Sequence, residues 1–205
     1  MTHPIVGHRW TDYYNAVAGR PPRETLLVAL AEFEMEQEPT SPRFAIDLGC
    51  GDGRDTIELL RRGWRVLGID AEAQAIARLR NRSGIYHEQL ETRIERFEQL
   101  TFPQNVDLVN ASFCLQFCPP EDFPSLWQAI VMAIRPGGRF CGHLIGDRDS
   151  WASFPHLNHH RCDQVTDLLV PFVVEWLKEE EHPGKTALGT EKYWHLFHIV
   201  ARKNS

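Results

Sequence analysis

The stretch AIDLGCGDGRDTIELLRRGWRVLGID, residues 45–70, constrains the fold more than any other part of the chain. AIDL reads as a buried strand, three glycines follow at positions 49, 51 and 53, an apolar-periodic segment stops at Gly63, and WRVLGID is a second apolar run that ends on Asp70. Strand, tight turn, helix and strand in that order predict a parallel pair, because parallel neighbours need a crossover of helical size.

The alternation continues along the chain. Residues 71–84 read as a helix, 92–97 as a third strand and VDLVNAS, 106–112, as a fourth. Phe123, Leu126, Trp127, Ile130 and Ile134 recur at helical spacing, and RPGG then turns the chain into RFCGHLIG, residues 139–146, as a fifth strand. Upstream, Leu26, Leu27, Leu30 and Phe33 form one stripe of a helix over residues 21–38, with two prolines suited to its first turn. The tail differs. After a helix near 163–169, residues 171–180 and 191–203 read as strands joined by a loop, hence an antiparallel pair at one edge. The expected class is α/β, a Rossmann-like doubly wound seven-stranded sheet, mostly parallel with an antiparallel last strand. Residues 1–42 are expected to supply an N-terminal lid segment and helix, and 43–205 the core of a single domain.

Glycine spacing bears on the ligand. A dinucleotide site follows Gly-x-Gly-x-x-Gly, with the pyrophosphate on a helix N-terminus. Here the third glycine arrives one residue early and Asp52 stands beside it, where its charge opposes a phosphate and tolerates a cation. The net charge of −6 also argues against a chain that tracks a nucleic-acid backbone. Arg61, Arg62 and Arg65, like Arg78, Arg80 and Arg82, are diluted by neighbours and read as solvated helix faces. No apolar run approaches the roughly 20 residues that span a bilayer. Without a secretory leader pattern, and with five scattered cysteines that form no Cys-x-x-Cys pair, the chain is expected to be cytoplasmic with reduced thiols.

With these features in place, Asp47-Leu-Gly49-Cys-Gly51-Asp-Gly53 followed by Gly68-Ile-Asp70 resembles the first motif and acidic second strand of class I S-adenosylmethionine-dependent methyltransferases. LTFPQNVDLVNAS and AIRPGGRF resemble that family's approaches to its fourth and fifth strands. The N-terminal RWTDYYNAVAGR is closer to small-molecule members, such as those related to tellurite-resistance or trans-aconitate methyltransferases. The resemblance implies S-adenosylmethionine as cofactor and a small-molecule acceptor, with no nucleic-acid or membrane partner; the oligomeric state is left open.

It also implies a site. Gly49, Gly51 and Gly53, with Asp47 and Cys50, would receive the methionine part; Asp70 and Ala71 the ribose; Phe97 and Glu98 the adenine; Asn110, Ala111 and Ser112 would lie beside the sulfonium. Arg96 stands where many relatives carry an aspartate, which leaves the adenine amine without an assigned partner. Arg20 would pair with a carboxylate of cofactor or acceptor, and Tyr14, Phe113, Gln116, Asp147 and Trp194 would wall the acceptor. Direct in-line transfer needs alignment more than a base, and Tyr14 and His195 are the candidates if one is used. His143 and His198 are further imidazoles on late strands, and HLNHHRC, residues 156–162, matches no zinc spacing, so no metal is expected. Two other classes remain at this stage: a nicotinamide-dependent oxidoreductase, and a protein that binds the cofactor without catalysis.

Overall fold

The computed structural model describes residues 10–37, 39–83, 85 and 87–205. Its helices are α1 (Trp10–Val17), α2 (Glu24–Glu34), α3 (Thr56–Arg61), α4 (Ala73–Arg80), α5 (Phe123–Ala133) and α6 (Cys162–Leu168). Its strands are β1 (Phe44–Leu48), β2 (Arg65–Asp70), β3 (Leu90–Ile94), β4 (Val106–Ala111), β5 (Ile134–Ile145), β6 (Phe172–Lys185) and β7 (Glu191–Lys203). They form one sheet in the order β3-β2-β1-β4-β5-β7-β6. The first five strands pair in parallel, and β7 enters antiparallel between β5 and β6.

Strand alternation builds two apolar layers. Ala45, Val66, Leu108, Cys141 and Val200 point to one face, where Leu26, Leu30 and Phe33 of α2 and Leu59 and Leu60 of α3 cover them. Their strand neighbours Ile46, Leu67, Val109 and Phe140 point to the other, against Leu126, Trp127 and Ile130 of α5. The chain winds outward from β1 to β3, then returns to β4 on the other side of β1. Where such a sheet reverses direction, a crevice opens beyond the strand ends. Gly49, Gly51 and Gly53 all adopt positive φ there, the backbone for which glycine is suited.

The seven-stranded, mostly parallel sheet agrees with the sequence expectation, and several boundaries move. Residues 10–17, expected as irregular chain ahead of the first helix, form α1. The prolines at 21 and 22 stand before α2 rather than within its first turn, with Arg23 at the N-cap. Helix α3 begins at Thr56, so Asp52 sits in the preceding turn, where it pairs with Arg82 at 2.9 Å. Strand β3 starts at Leu90 and ends at Ile94, short of the expected 97. The first pairing of β5 precedes the RPGG turn, with a register shift opposite Val106 and Leu108. Finally β6 runs on to Lys185, so the tail is a long hairpin whose tip is only residues 186–190. The expected helix ends at Glu38 and Gly84, and residues 1–9, lie outside the described residues.

Leu30 is 1% exposed and sits at the centre of the layer under α2. Leu30→Ala is expected to lower stability by about 2–5 kcal/mol in urea denaturation, the range for emptying a buried leucine site. A cost under about 1 kcal/mol would mean that α2 is only loosely attached to the sheet.

Candidate active site

At the switch point, one cleft lies over the ends of β1 and β2. Its floor is the glycine turn, and α1 closes it from above with Trp10, Tyr13, Tyr14 and Val17. Asp70, at the end of β2, accepts the Gly51 N–H on Oδ2 and the Glu72 N–H on Oδ1, both at 2.8 Å. Each carboxylate oxygen keeps a further lone pair for a ligand hydroxyl. Burial raises its pKa, against the pull of those N–H donors. Phe97 lines the same cleft, and so do Cys50, Ala71 and Ser112.

Beneath the turn lies a pair of buried carboxylates. Asp47 on β1 accepts the Thr56 hydroxyl at 2.5 Å and the Asn110 side-chain amide at 2.8 Å, and the same Asn110 nitrogen reaches Asp55 at 3.1 Å. The other Asp55 oxygen accepts the Arg23 backbone N–H at 2.9 Å. Burial, with Asp55 as the neighbouring charge, pushes the Asp47 pKa up to about 7. The cleft as a whole is acidic. Asp47, Asp52, Asp55, Asp70, Glu72 and Glu95 line it, against the guanidiniums of Arg23 and Arg54.

A second cleft opens on the far side of Phe113 and shares α1, Arg23 and Phe117 with the first. Arg20, Gln116, Trp151, Trp194 and the hairpin tip at residues 186–190 contribute to it. Phe113 follows β4 with φ +54°, an uncommon conformation for a bulky side chain. Its ring stacks on His143 at 4.0 Å and carries the Arg23 guanidinium 4.3 Å from its centroid, which together pin the strained residue between the clefts.

Several residues expected at the site lie elsewhere. Asn110 and Ala111 are fully buried in the sheet, and Asn110 serves the carboxylate pair instead of facing the cleft. Gly53 is covered too: a Cβ there would overlap Leu79, so its role is packing against α4. Glu98 pairs with Arg96 outside the cleft, because β3 ends early; Glu95 takes the inward position, with Oε2 buried and unpartnered. Arg20 lines only the second cleft. Asp147 lines neither, standing beside Arg148 and His195.

Neither candidate base fits that role. Tyr14 lines the first cleft and is 3% exposed, and burial near Asp70 and Glu72 drives its hydroxyl pKa upward, which disfavours a phenolate. His195 is fully buried away from both clefts, its Nδ1 accepting the Arg148 N–H at 3.1 Å and its Nε2 lying 2.9 Å from Glu179. Glu179, Glu181 and His195 could in principle hold a cation, yet the Arg148 guanidinium already lies against all three. His143 is buried with Nδ1 unpartnered, and desolvation beside His198 holds it well below the ordinary imidazole range, hence neutral. Arg23, Arg54 and Glu95 went unnoticed in the sequence. Their only signal was proximity to the glycine turn and to the end of β3.

The Asp47 shift has a definite sign. Between the usual carboxylate range and about pH 7 the folded chain holds a proton that the unfolded chain has lost, so this group's contribution falls as pH rises through that window. Asp47→Asn removes that loss. The melting temperature of Asp47→Asn relative to wild type is expected to rise by about 2–4 °C or more from pH 5 to pH 7.5. A constant difference would show that Asp47 titrates normally.

Residues 45–138 match the sequence family described as "Methyltransferase domain". Carboxy-S-adenosyl-L-methionine synthase of Actinobacillus succinogenes is 32% identical over 99 residues, 45% of this chain and 40% of that protein, so the match spans less than half the length of the relative. Among solved structures, TehB from Haemophilus influenzae aligns over 95% of this chain and 67% of its own, with a TM-score of 0.74 and 18% identity. The 1,6-didemethyltoxoflavin-N1-methyltransferase of Burkholderia thailandensis, solved with 1,6-didemethyltoxoflavin and S-adenosylhomocysteine, aligns over 100% and 94%, with a TM-score of 0.67 and 18% identity. Residues 45–138 thus match the methyltransferase-domain family, and the chain shares its fold with the solved methyltransferase structures that it aligns with.

Proposed function

We propose that the protein transfers a methyl group from S-adenosylmethionine to a small-molecule acceptor. The observation that carries this reading is the acidic cleft on the glycine turn. Even with Asp52 paired to Arg82 and Asp47 holding a proton up to about pH 7, the remaining carboxylates Asp55, Asp70, Glu72 and Glu95 outnumber the two guanidiniums, which suits a nucleoside that bears an ammonium and a sulfonium and would repel the pyrophosphate of a nicotinamide cofactor. When bound, S-adenosylmethionine supplies a methyl group that is already electrophilic.

The chain's own groups supply binding and alignment. Asp70 accepts the ribose hydroxyls, and Glu95, with its free buried oxygen, accepts from the adenine amine, while Phe97 gives the ring an apolar wall. The Asp47 and Asp55 carboxylates favour the ammonium through the Gly49 turn. Arg54, whose Nη1 is buried without a partner, takes the methionine carboxylate, the role first considered for Arg20. Phe113 and Ser112 mark the junction where the acceptor meets the methyl group. Helix α1, which walls both clefts, acts as the lid and excludes water. Among the described residues no side chain at the junction is placed as a base, so the acceptor's proton passes to solvent once α1 opens after transfer.

A cytoplasmic setting fits the free thiols of Cys50, Cys114, Cys118 and Cys141, all buried, and no described helix is long and apolar enough to cross a membrane. The charge of −6 supports a small acceptor over a nucleic acid. One alternative has a specific basis. The matched curated relatives carry the name of a synthase whose product is a carboxylated S-adenosylmethionine, so chemistry on the cofactor itself is the second reading.

Incubation with S-adenosylmethionine labelled in the methyl group and a metabolite extract separates them. Methyl transfer predicts S-adenosylhomocysteine and a labelled acceptor, whereas a nucleoside product that keeps the label and gains mass would favour the second reading. Absence of any product with extract after extract would leave a binding protein. Asp70→Ala should weaken S-adenosylhomocysteine binding by roughly 1.5–3 kcal/mol in calorimetry, the scale of hydrogen bonds to a charged group, with the fold retained. Equal affinities would remove Asp70 from the site.

A further inference from the structure

The second cleft differs from the first in charge. Among the described residues no Asp or Glu lines it, whereas Arg20, Arg23, His182 and Lys185 do. Lys185 is paired with Glu191, and the His182 ring lies beside Glu180, each at 3.1 Å. Among the described residues neither Arg20 nor Arg23 has an ion pair; the Arg23 guanidinium lies over the Phe113 ring and shares a hydrogen bond with the Tyr13 side chain. Two guanidiniums without a carboxylate partner facing one cleft form an anion site, and their planar forks suit a carboxylate.

The walls between them are aromatic. Phe113 meets Trp194 edge to face at 6.3 Å, Trp194 and Trp151 lie 6.0 Å apart, and Phe117 closes the ring of side chains at 6.4 Å from Trp151. Lys192, 5% exposed and paired with Asp149, sits 3.9 Å from the Trp151 centroid and 4.4 Å from that of Trp194, so both indoles are held from behind. Such a wall favours a flat ligand.

Gln116 adds a third requirement. It is 4% exposed and lines this cleft, and its Nε2 donates to the Phe113 carbonyl at 2.7 Å, which fixes the amide. Its Oε1 is buried and has no partner among the described residues. A buried acceptor of this kind is costly unless a donor arrives.

Resting on the proposed methyl transfer, we infer that the acceptor is a planar aromatic carboxylate that also carries an N–H or O–H donor. The carboxylate meets Arg20 and Arg23, the ring lies among Phe113, Trp151 and Trp194, and the donor reaches Gln116 Oε1. The cofactor keeps Arg54, which lines the first cleft only. The acceptor's charge thus separates the two sites: a cation is drawn to one and an anion to the other.

Equilibrium dialysis tests this with three probes of one shape, 4-hydroxybenzoate, 4-hydroxybenzamide and 4-hydroxybenzylamine, on protein saturated with S-adenosylhomocysteine. The acid should bind at least fivefold tighter than the amide, and the amine weakest. Arg20→Gln, a change at an exposed side chain, should cut the acid-to-amide ratio to about twofold or less while leaving the S-adenosylhomocysteine dissociation constant unchanged. Gln116→Leu should weaken the acid and the amide alike, because both carry the hydroxyl. Amide or amine binding as well as the acid, a ratio untouched by Arg20→Gln, or no binding by any probe would overturn the inference. Failure of wild-type protein to bind S-adenosylhomocysteine is a separate result, read directly in the same dialysis, and would overturn the cofactor reading beneath it.

Discussion

One side-chain amide ties the working parts together. Asn110, fully buried on β4, donates from a single nitrogen to Asp47 on β1 and to Asp55 just ahead of α3, and Asp55 in turn accepts the backbone N–H of Arg23 at the start of α2. Two carboxylates are thereby held under the glycine turn, almost wholly buried, at a cost in solvation that hydrogen bonding reduces. The glycine turn rests on this base. The turn itself has positive φ at Gly49, Gly51 and Gly53 and a Gly51 N–H bond to Asp70, at the ends of β1 and β2, whose parallel register with β4 surrounds the pair.

That negative base sets the chemistry above it. A ligand with fixed positive charge gains from the field, and a phosphate loses, so the cleft selects among nucleotides before any adenine contact is made. The second cleft reverses the sign with Arg20 and Arg23. Phe113 stands where the two fields meet, in a strained conformation stabilised by stacking on His143 and by the Arg23 cation. A neutral, desolvated His143 is well suited to that packing role, since a charged ring there would repel Arg23 and Arg54.

The sheet was legible in the sequence because burial on both faces leaves continuous apolar runs, and because AIDLG, WRVLGID and VDLVNAS are bounded by clear turn signals. The tail hairpin was legible from the missing crossover helix. The site was legible only in part. Gly49, Gly51, Asp70 and Phe97 line the cleft as spacing and resemblance suggested, since they end strands whose register is fixed. Asn110 and Glu98 did not, because alternation along β4 turns Asn110 into the sheet and an early end to β3 brings Glu95 inward. The basic second cleft was hidden for another reason. It assembles α1, the turn after it, the segment after β4 and a hairpin tip more than 160 residues from Arg20, and no local pattern records that convergence.

The central claim is that the first cleft is built for a cationic, phosphate-free nucleoside. Parallel calorimetric titrations of the unmodified protein with S-adenosylmethionine and with NAD test it most directly. The account predicts one-to-one binding of S-adenosylmethionine in the micromolar range and no measurable heat from NAD at millimolar concentration. Comparable or tighter binding of NAD would contradict it.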